Sequence, residues 1–272
     1  MKERLKDIVG AQDNKLYARC LAREYCQARI LQILQDMGVF RAWVFHGGTA
    51  LRFLYGIPRF SEDLDFTLRP EIPGSNFRDV IKKIQTSLEA EAYEVYLKIR
   101  DDTPVNSAFI RLPGLLWELG LSPHRAEVFS IKVEVDVNPP AGGIFETTVV
   151  RRHVLLNLCH HDKASLLAGK LHAILTRGFL KGRDIYDLVW YLSDRSWPAP
   201  NLVLLNNALV QTGWAGKAVT PESWPLLVAQ RLGEAEWRRA LEDVRPFLER
   251  PEEIALLARE NVLGLLLEYG AD

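Results

Sequence analysis

Cysteine is scarce in this sequence. Only Cys20, Cys26 and Cys159 occur among 272 residues, an odd number without metal-ligand spacing. That excludes a disulfide framework and a zinc ribbon, and the expectation is a reducing, cytoplasmic setting. Long apolar runs are missing too. No stretch reaches the roughly 18 residues that a membrane span requires, so no membrane partner is expected. The opening Met1-Lys2-Glu3-Arg4 leads into a polar helix without the apolar core of a signal peptide. An excess of either charge is also lacking: 34 Lys and Arg stand against 35 Asp and Glu. Such balance argues against a surface that coats nucleic acid along its whole length. The sequence carries no internal repeat and no low-complexity tract.

What is present is an ordinary globular mix, 48% hydrophobic and 25% charged. It is long enough for one large domain or two modest ones. Residues 14–37 place Leu16, Cys20, Leu21, Ile30, Leu31 and Leu34 near helical spacing, and Gly38 is a natural stop. Short strands are expected at 42–45 and 64–68, a short helix at 49–55, an amphipathic helix at 76–91, and further strands at 93–99 and 107–112. Ser130 to Val137 alternates strictly. Ile131, Val133, Val135 and Val137 face one way, Lys132, Glu134 and Asp136 the other. Pro139-Pro140 and Gly142-Gly143 read as a turn or linker. Beyond about residue 160 the pattern turns helical, over 162–180, 183–194, 201–211, 223–248 and 251–268. The sequence thus predicts an α+β lobe over residues 1–150, a mixed sheet with flanking helices. A helical lobe over 151–272 follows.

The neutral total hides an asymmetry. Residues 150–185 hold seven Lys and Arg against two Asp, together with four of the six histidines. From Gly233 to the end, ten acids face five arginines. A basic centre in a neutral chain points to a local anionic partner, although an uneven solvated surface gives the same count.

The most informative stretch is Val44-Phe45-His46-Gly47-Gly48-Thr49-Ala50-Leu51, followed by Arg59-Phe60-Ser61-Glu62-Asp63-Leu64-Asp65-Phe66. On a strand, Asp63 and Asp65 send both carboxylates from one face. Close carboxylates repel, and one would take up a proton unless a divalent cation neutralised the pair. Mg²⁺ favours one or two carboxylates plus phosphate oxygens, and paired ions clamp an in-line phosphoryl displacement. Gly47-Gly48 lets the backbone approach a ligand, and the helix start after it points N–H groups at phosphate, with Thr49 adding a hydroxyl. A third acid on a neighbouring strand would complete a metal site, and Glu134 or Asp136 is placed for it. Taken singly, Gly-Gly is usually a plain turn and Asp-x-Asp a solvated strand face. The combination at this spacing carries the reading.

Lys163, Lys170 and Arg177 are seven apart, with Lys181 beyond, so they form one helical stripe. Leu167 and Ile174 lie close to that stripe, while Ser165, His172 and Thr176 occupy the far side. Cations interleaved with apolar residues imply a partly buried helix facing a polar cleft, where they need anionic partners: a triphosphate or the metal carboxylates. Stems that snorkel to water are the simpler alternative. Asp184 and Asp187 lie one turn apart on the next helix, where either would also suit the helix dipole. His153, Cys159, His160 and His161 cluster without a recognised zinc spacing.

Gly-Gly-Thr-Ala-Leu at 47–51 and Arg-Phe-Ser-Glu-Asp-Leu-Asp-Phe at 59–66 closely resemble the AbiEii/AbiGii toxin family, within the DNA-polymerase-β-like nucleotidyltransferases. Ile131-Lys132-Val133-Glu134 resembles the family's lysine-containing strand. Leu166 to Arg177 and Gly182-Arg183-Asp184-Ile185-Tyr186-Asp187-Leu188 resemble its helical motifs. The resemblance covers residues 40 to 192 and leaves the last 80 residues unmatched. It implies a nucleotidyltransferase-type mixed sheet with a helical C-terminal lobe, and Mg²⁺ or Mn²⁺ held by Asp63, Asp65 and Glu134. It implies an NTP held by Gly47, Gly48, Thr49 and Lys170, with Asp184 as a further catalytic residue. Arg59, Ser61, Arg183 and Asp187 become further substrate-binding candidates. Val135-Asp136 departs from the family pattern and leaves Glu134 and Asp136 both eligible as the third acid, Glu134 being preferred.

The implied function is a toxin that transfers NMP from an NTP to RNA, with the tRNA 3′ end as the preferred acceptor. A toxin–antitoxin or phage-defence setting and a cognate antitoxin protein follow from the same resemblance. A small-molecule nucleotidyltransferase of the aminoglycoside-modifying type shares the Gly-Gly and Asp-x-Asp logic. A non-catalytic NTP-binding module is the reading from outside the enzymes, and the presence of all three candidate metal carboxylates speaks against it.

Overall fold

Local signals in the sequence explain where the elements begin and end in a computed structural model describing residues 2–69, 71–72 and 76–269. Helix α1 spans Lys2–Gly10 and α2 spans Lys15–Asp36. The Asn14 side chain caps α2 by accepting from the Leu16 and Tyr17 amides, and Gly38 in the left-handed region ends the run. Helix α2 is buried on most sides, from Ala18 through Leu34, so it works as an interior helix rather than an amphipathic surface one.

The chain then enters β1 (Trp43–His46), α3 (Gly47–Tyr55), β2 (Leu64–Leu68) and α4 (Phe77–Ala90). Next come β3 (Tyr96–Arg100), β4 (Val105–Pro113), the short α5 (Leu115–Glu118), β5 (Val128–Asp136), β6 (Phe145–Arg152) and β7 (Val154–His161). The strands form a seven-stranded mixed sheet in the order β3-β4-β5-β2-β1-β7-β6. Pairing is antiparallel for β3–β4, β4–β5 and β1–β2, and parallel for β2–β5 and β1–β7. In β5 the alternation predicted from sequence is realised: Ile131, Val133 and Val135 are buried. Val137 lies past the strand end and is exposed.

Two strands, β6 and β7, fall where the sequence suggested only a basic segment. Strand β7 pairs with β1 at Phe45 and His160 and buries Leu156 and Leu158. Helices follow: α6 (Lys163–Thr176), α7 (Gly182–Leu192), α8 (Leu202–Gln211), α9 (Trp224–Gly233), α10 (Trp237–Val244) and α11 (Arg259–Tyr269). The expected helix over 223–248 is broken into α9, α10 and a 3-10 turn at Arg245–Phe247, and Pro251–Leu257 is also 3-10. Pro246 and Pro251 lack the amide an α-helix interior needs.

The chain divides into two compact units. One comprises Met1–Gly56, Phe60–Pro139 and Thr147–His160; the other comprises Ile57–Arg59, Pro140–Glu146 and His161–Asp272.

Candidate functional site

In the first unit the site is built around Asp65. Strand β1 ends at His46, and α3 starts at once with Gly47. Gly47 has φ +78°, and a Cβ there would collide with Asp65 Oδ2. Only glycine meets both conditions. The β1–β2 register sets His46 opposite Asp65, and the β2–β5 register sets Glu134 opposite Asp65 on the other side. Directly opposed residues share a sheet face. Asp65 therefore sits between His46 and Glu134, beside the Gly47 backbone.

Asp63 does not lie on the strand with Asp65, as the spacing suggested. Strand β2 begins at Leu64, so Asp63 ends the incoming loop. Side chains from two helices hold that loop. Gln27 on α2 donates from Nε2 to the carbonyls of Ser61 (3.1 Å) and Glu62 (2.9 Å). Thr49 on α3 donates its hydroxyl to the Asp63 carbonyl. Its side chain is fully buried and its hydroxyl is donated to the loop, so in this structure Thr49 shapes the approach to Asp63. Gln27 gave no local signal in the sequence; only the fold reveals it, as a buried amide matched to two loop carbonyls.

The electrostatics follow from this crowding. Burial pushes the Asp63 carboxyl up to about 6, and Asp65, Glu62 and Glu134 add to the effect while Lys132 opposes it. Glu134 is itself paired with Lys132, Nζ to Oε1 at 2.8 Å. Asp136, the alternative third acid, is in register with Thr67 rather than Asp65 and accepts from the Asn138 amide at 2.9 Å. Register thus favours Glu134 as the neighbour of the pair. Among the described residues, no three His, Cys, Asp or Glu side chains converge closely enough to hold a metal ion. A divalent cation would compete with Lys132 for Glu134. The donor chemistry suits such a cation: oxygen ligands, one with its charge held back by burial and like-charged neighbours.

The second unit gathers the other candidates. Lys170 on α6 lies 2.7 Å from Asp187 and 3.1 Å from Asp184, both on α7. Arg177 pairs with Asp184, and Arg59 grips Asp187 with two nitrogens at 2.5 Å each. Burial disfavours the Lys170 ammonium, but Asp187 and then Asp184 outweigh it and raise its pKa above the ordinary lysine value. Burial likewise opposes the Asp184 carboxylate, and Lys170 and Arg177 overcome it and lower its pKa. Two cations of the stripe, Lys170 and Arg177, have anionic partners supplied by α7 of the same chain. Lys163, the third cation, lies over the Trp197 ring at 4.2 Å.

Arg59 and Asp187 are buried on each other, side chains 2% and 0% exposed. In this structure the pair forms a clamp that fixes α7 and backs Lys170. Gly182 opens α7 because a Cβ there would overlap the Ala240 carbonyl of α10. Arg183 lies over Phe247 at 4.3 Å and 3.8 Å from Asp243.

The histidine cluster is dispersed among other partners. His153 binds Glu24 at 2.7 Å, and His160 meets Thr148 at 2.9 Å. Glu24 also holds Arg52 and Arg152, and although burial opposes its charge these cations and His153 keep its carboxyl near 2.

Three solved structures share this fold over nearly its whole length, each at 17% sequence identity. MenT4, the nucleotidyltransferase toxin of Mycobacterium tuberculosis H37Rv, aligns with a TM-score of 0.58 over 98% of this chain and 90% of its own. A protein from H. pylori described as a nucleotidyltransferase aligns at 0.54, over 93% and 95%. JHP933 from Helicobacter pylori aligns at 0.50, over 93% and 89%. No curated protein matches at a significant level. Among the described residues, no helix is long and apolar enough to cross a membrane. A family model described as nucleotidyl transferase AbiEii toxin, type IV TA system, matches residues 29–259, well past the segment in which the sequence motifs were legible. With the mixed sheet and the Gly47–Asp65 arrangement beneath it, that match makes this chain a member of the AbiEii family of nucleotidyltransferase toxins.

Proposed function

We propose that this toxin is a metal-dependent enzyme that joins NMP from an NTP to an RNA end, preferably the 3′ end of tRNA. The attacking hydroxyl forms a bond to the α-phosphorus, and the bond to pyrophosphate breaks. The observation that carries the reading is the contact of Gly47 with the Asp65 carboxylate, with Glu134 in register beside it. A backbone that reaches phosphate and a carboxylate that reaches metal then meet at one point. Mg²⁺ or Mn²⁺ on Asp63, Asp65 and Glu134 would neutralise the carboxylates and the phosphate charge. Gly47 and Gly48 present the α3 amides to the triphosphate. The Ser61 loop, held by Gln27, keeps Asp63 in position. Lys170 serves as the point charge for the nucleotide, which must draw its ammonium from Asp184 and Asp187. Chemistry of this class is mostly positioning and charge neutralisation.

The RNA acceptor rests on the basic stretch. Within that stretch Arg152 already binds Glu24 and the Arg52 carbonyl, and Arg177 pairs with Asp184. Arg151 is exposed, and Arg177 and Lys181 remain partly so. Such contacts position a strand without reading its sequence. The description of the family as a toxin of a type IV TA system supports a cognate antitoxin partner; a role in phage defence is part of the same proposal. The test is incubation with labelled NTPs and total RNA, with and without EDTA. EDTA-sensitive label in RNA is the expected result. Label in a small-molecule fraction would favour the aminoglycoside-type reading, and NTP binding without any transfer would favour the binding module.

A further inference from the structure

Lys132 is a cation beside the acid cluster to which the proposed reaction gives no task. It stands on β5 two residues before Glu134, so both side chains leave the same face of the strand. Its ammonium lies 2.8 Å from Glu134 Oε1, and both side chains are about three-quarters buried. Its cross-strand partner on β4 is Phe109, whose ring centre lies 5.7 Å from the ammonium. An apolar ring on that side and acids on the other leave the ammonium one direction of strong attraction. Its field reaches Asp63 as well. Glu134 in turn is the register partner of Asp65. Lys132 therefore supplies positive charge to the cluster where a divalent cation is expected.

We propose that Lys132 is a tethered counter-cation: it holds Glu134 in the metal-free protein, and a divalent cation must displace it from that carboxylate in order to bind. The inference rests on the metal-dependent reading. Its consequence is a pair of effects with opposite sign. Without Lys132 the metal-free acids lose their compensation, so the fold weakens. Without Lys132 the metal meets no competitor on Glu134, so it binds more tightly. A lysine that oriented Glu134 for the metal would have the reverse effect on affinity, and a purely structural lysine would have none.

The experiment uses the full chain, with Mn²⁺ binding followed by titration calorimetry and stability followed by urea unfolding in EDTA. Lys132→Met keeps the stem over Phe109 and removes the charge. It should bind Mn²⁺ roughly fivefold more tightly than wild type, the size of a partly exposed ion pair, and unfold at lower urea in EDTA. Lys132→Arg keeps a tethered cation and should behave as wild type. Lys83→Met, on the exposed side of α4, controls for loss of charge in general. Lys132→Gln serves the same purpose should the apolar variant not fold. Unchanged or weaker Mn²⁺ binding in the variants, with wild type binding normally, would overturn the counter-cation alone. No Mn²⁺ binding by wild type would overturn the metal-dependent reading and this inference with it.

Discussion

Replacing Asp63 by asparagine should strengthen the metal-free fold while abolishing transfer. The Asp63 carboxyl is pushed from 3.8 to about 6, first by burial and then by Asp65. A raised carboxyl pKa means that the ionised form is disfavoured in the folded state. The cost is absent below pH 3.8, grows between 3.8 and about 6, and is fully present above. Its size at neutral pH is about 3 kcal/mol, from roughly 1.4 kcal/mol for each pH unit between the two values. Asparagine keeps the shape and carries no charge, so the variant escapes this cost. In urea unfolding with EDTA, the gain of Asp63→Asn over wild type should be near zero at about pH 4. It should rise through about pH 6 and level off near 3 kcal/mol by about pH 8. Reading the difference between the two proteins cancels the titration of the other carboxylates. A variant no more stable than wild type at about pH 8, or a gain that does not grow with pH, would refute the claim that crowded, buried charge defines this site. Transfer activity should be lost in the same variant, because the carboxylate is needed once a cation is bound.

Gly47→Ala should abolish activity and lower stability, since φ +78° and the Asp65 carboxylate both oppose a Cβ; normal NTP turnover in this variant would remove the close-approach argument. Thr49→Val deletes the bond to the Asp63 carbonyl and should cost about 1–2 kcal/mol in urea unfolding. Its kcat should fall more than its NTP KM rises, because the hydroxyl donates to the Asp63 carbonyl and so positions that residue. Arg59→Leu removes the two-nitrogen clamp on the buried Asp187, leaving it Lys170 alone, and should cost about 3–5 kcal/mol. The double change with Asp187→Leu should recover much of that loss, measured as a coupling energy in a double-mutant cycle. Lys170→Met should lower both stability and activity strongly while Lys163→Met has small effects, as the first faces two carboxylates and the second an aromatic ring. Equal small effects would return both lysines to solvent.

The sequence made the sheet and the acid pair legible because both depend on short-range patterning. The strict alternation of Ser130 to Val137 survives as β5, and Gly47 is explained by its φ and by Asp65. Strands β6 and β7 stayed hidden because Arg151, Arg152, His153, His160 and His161 mask their apolar positions. Arg152 and His153 find their partner in Glu24, more than a hundred residues away, which no local window contains. Asp63 was placed on a strand because two-residue spacing implies one. The strand begins a residue later, where Gln27 and Thr49 take over the loop carbonyls.

The basic helix shows the same limit from the other side. Its spacing correctly required anions, since Lys170 is too enclosed to remain charged alone. Spacing could not say whose anions they are. Asp184 and Asp187 answer for Lys170, and Arg59, far away in sequence, answers for Asp187. A nucleotide that recruits Lys170 must therefore compete with two carboxylates already in place. That competition sets a condition on the proposed role: Asp184→Asn should weaken the hold on Lys170 and, by freeing the ammonium, lower the KM for NTP even as the fold loses stability. A raised KM in this variant would mean that Asp184 fixes the ammonium in its working position, and an unchanged KM would make the whole cluster a structural knot.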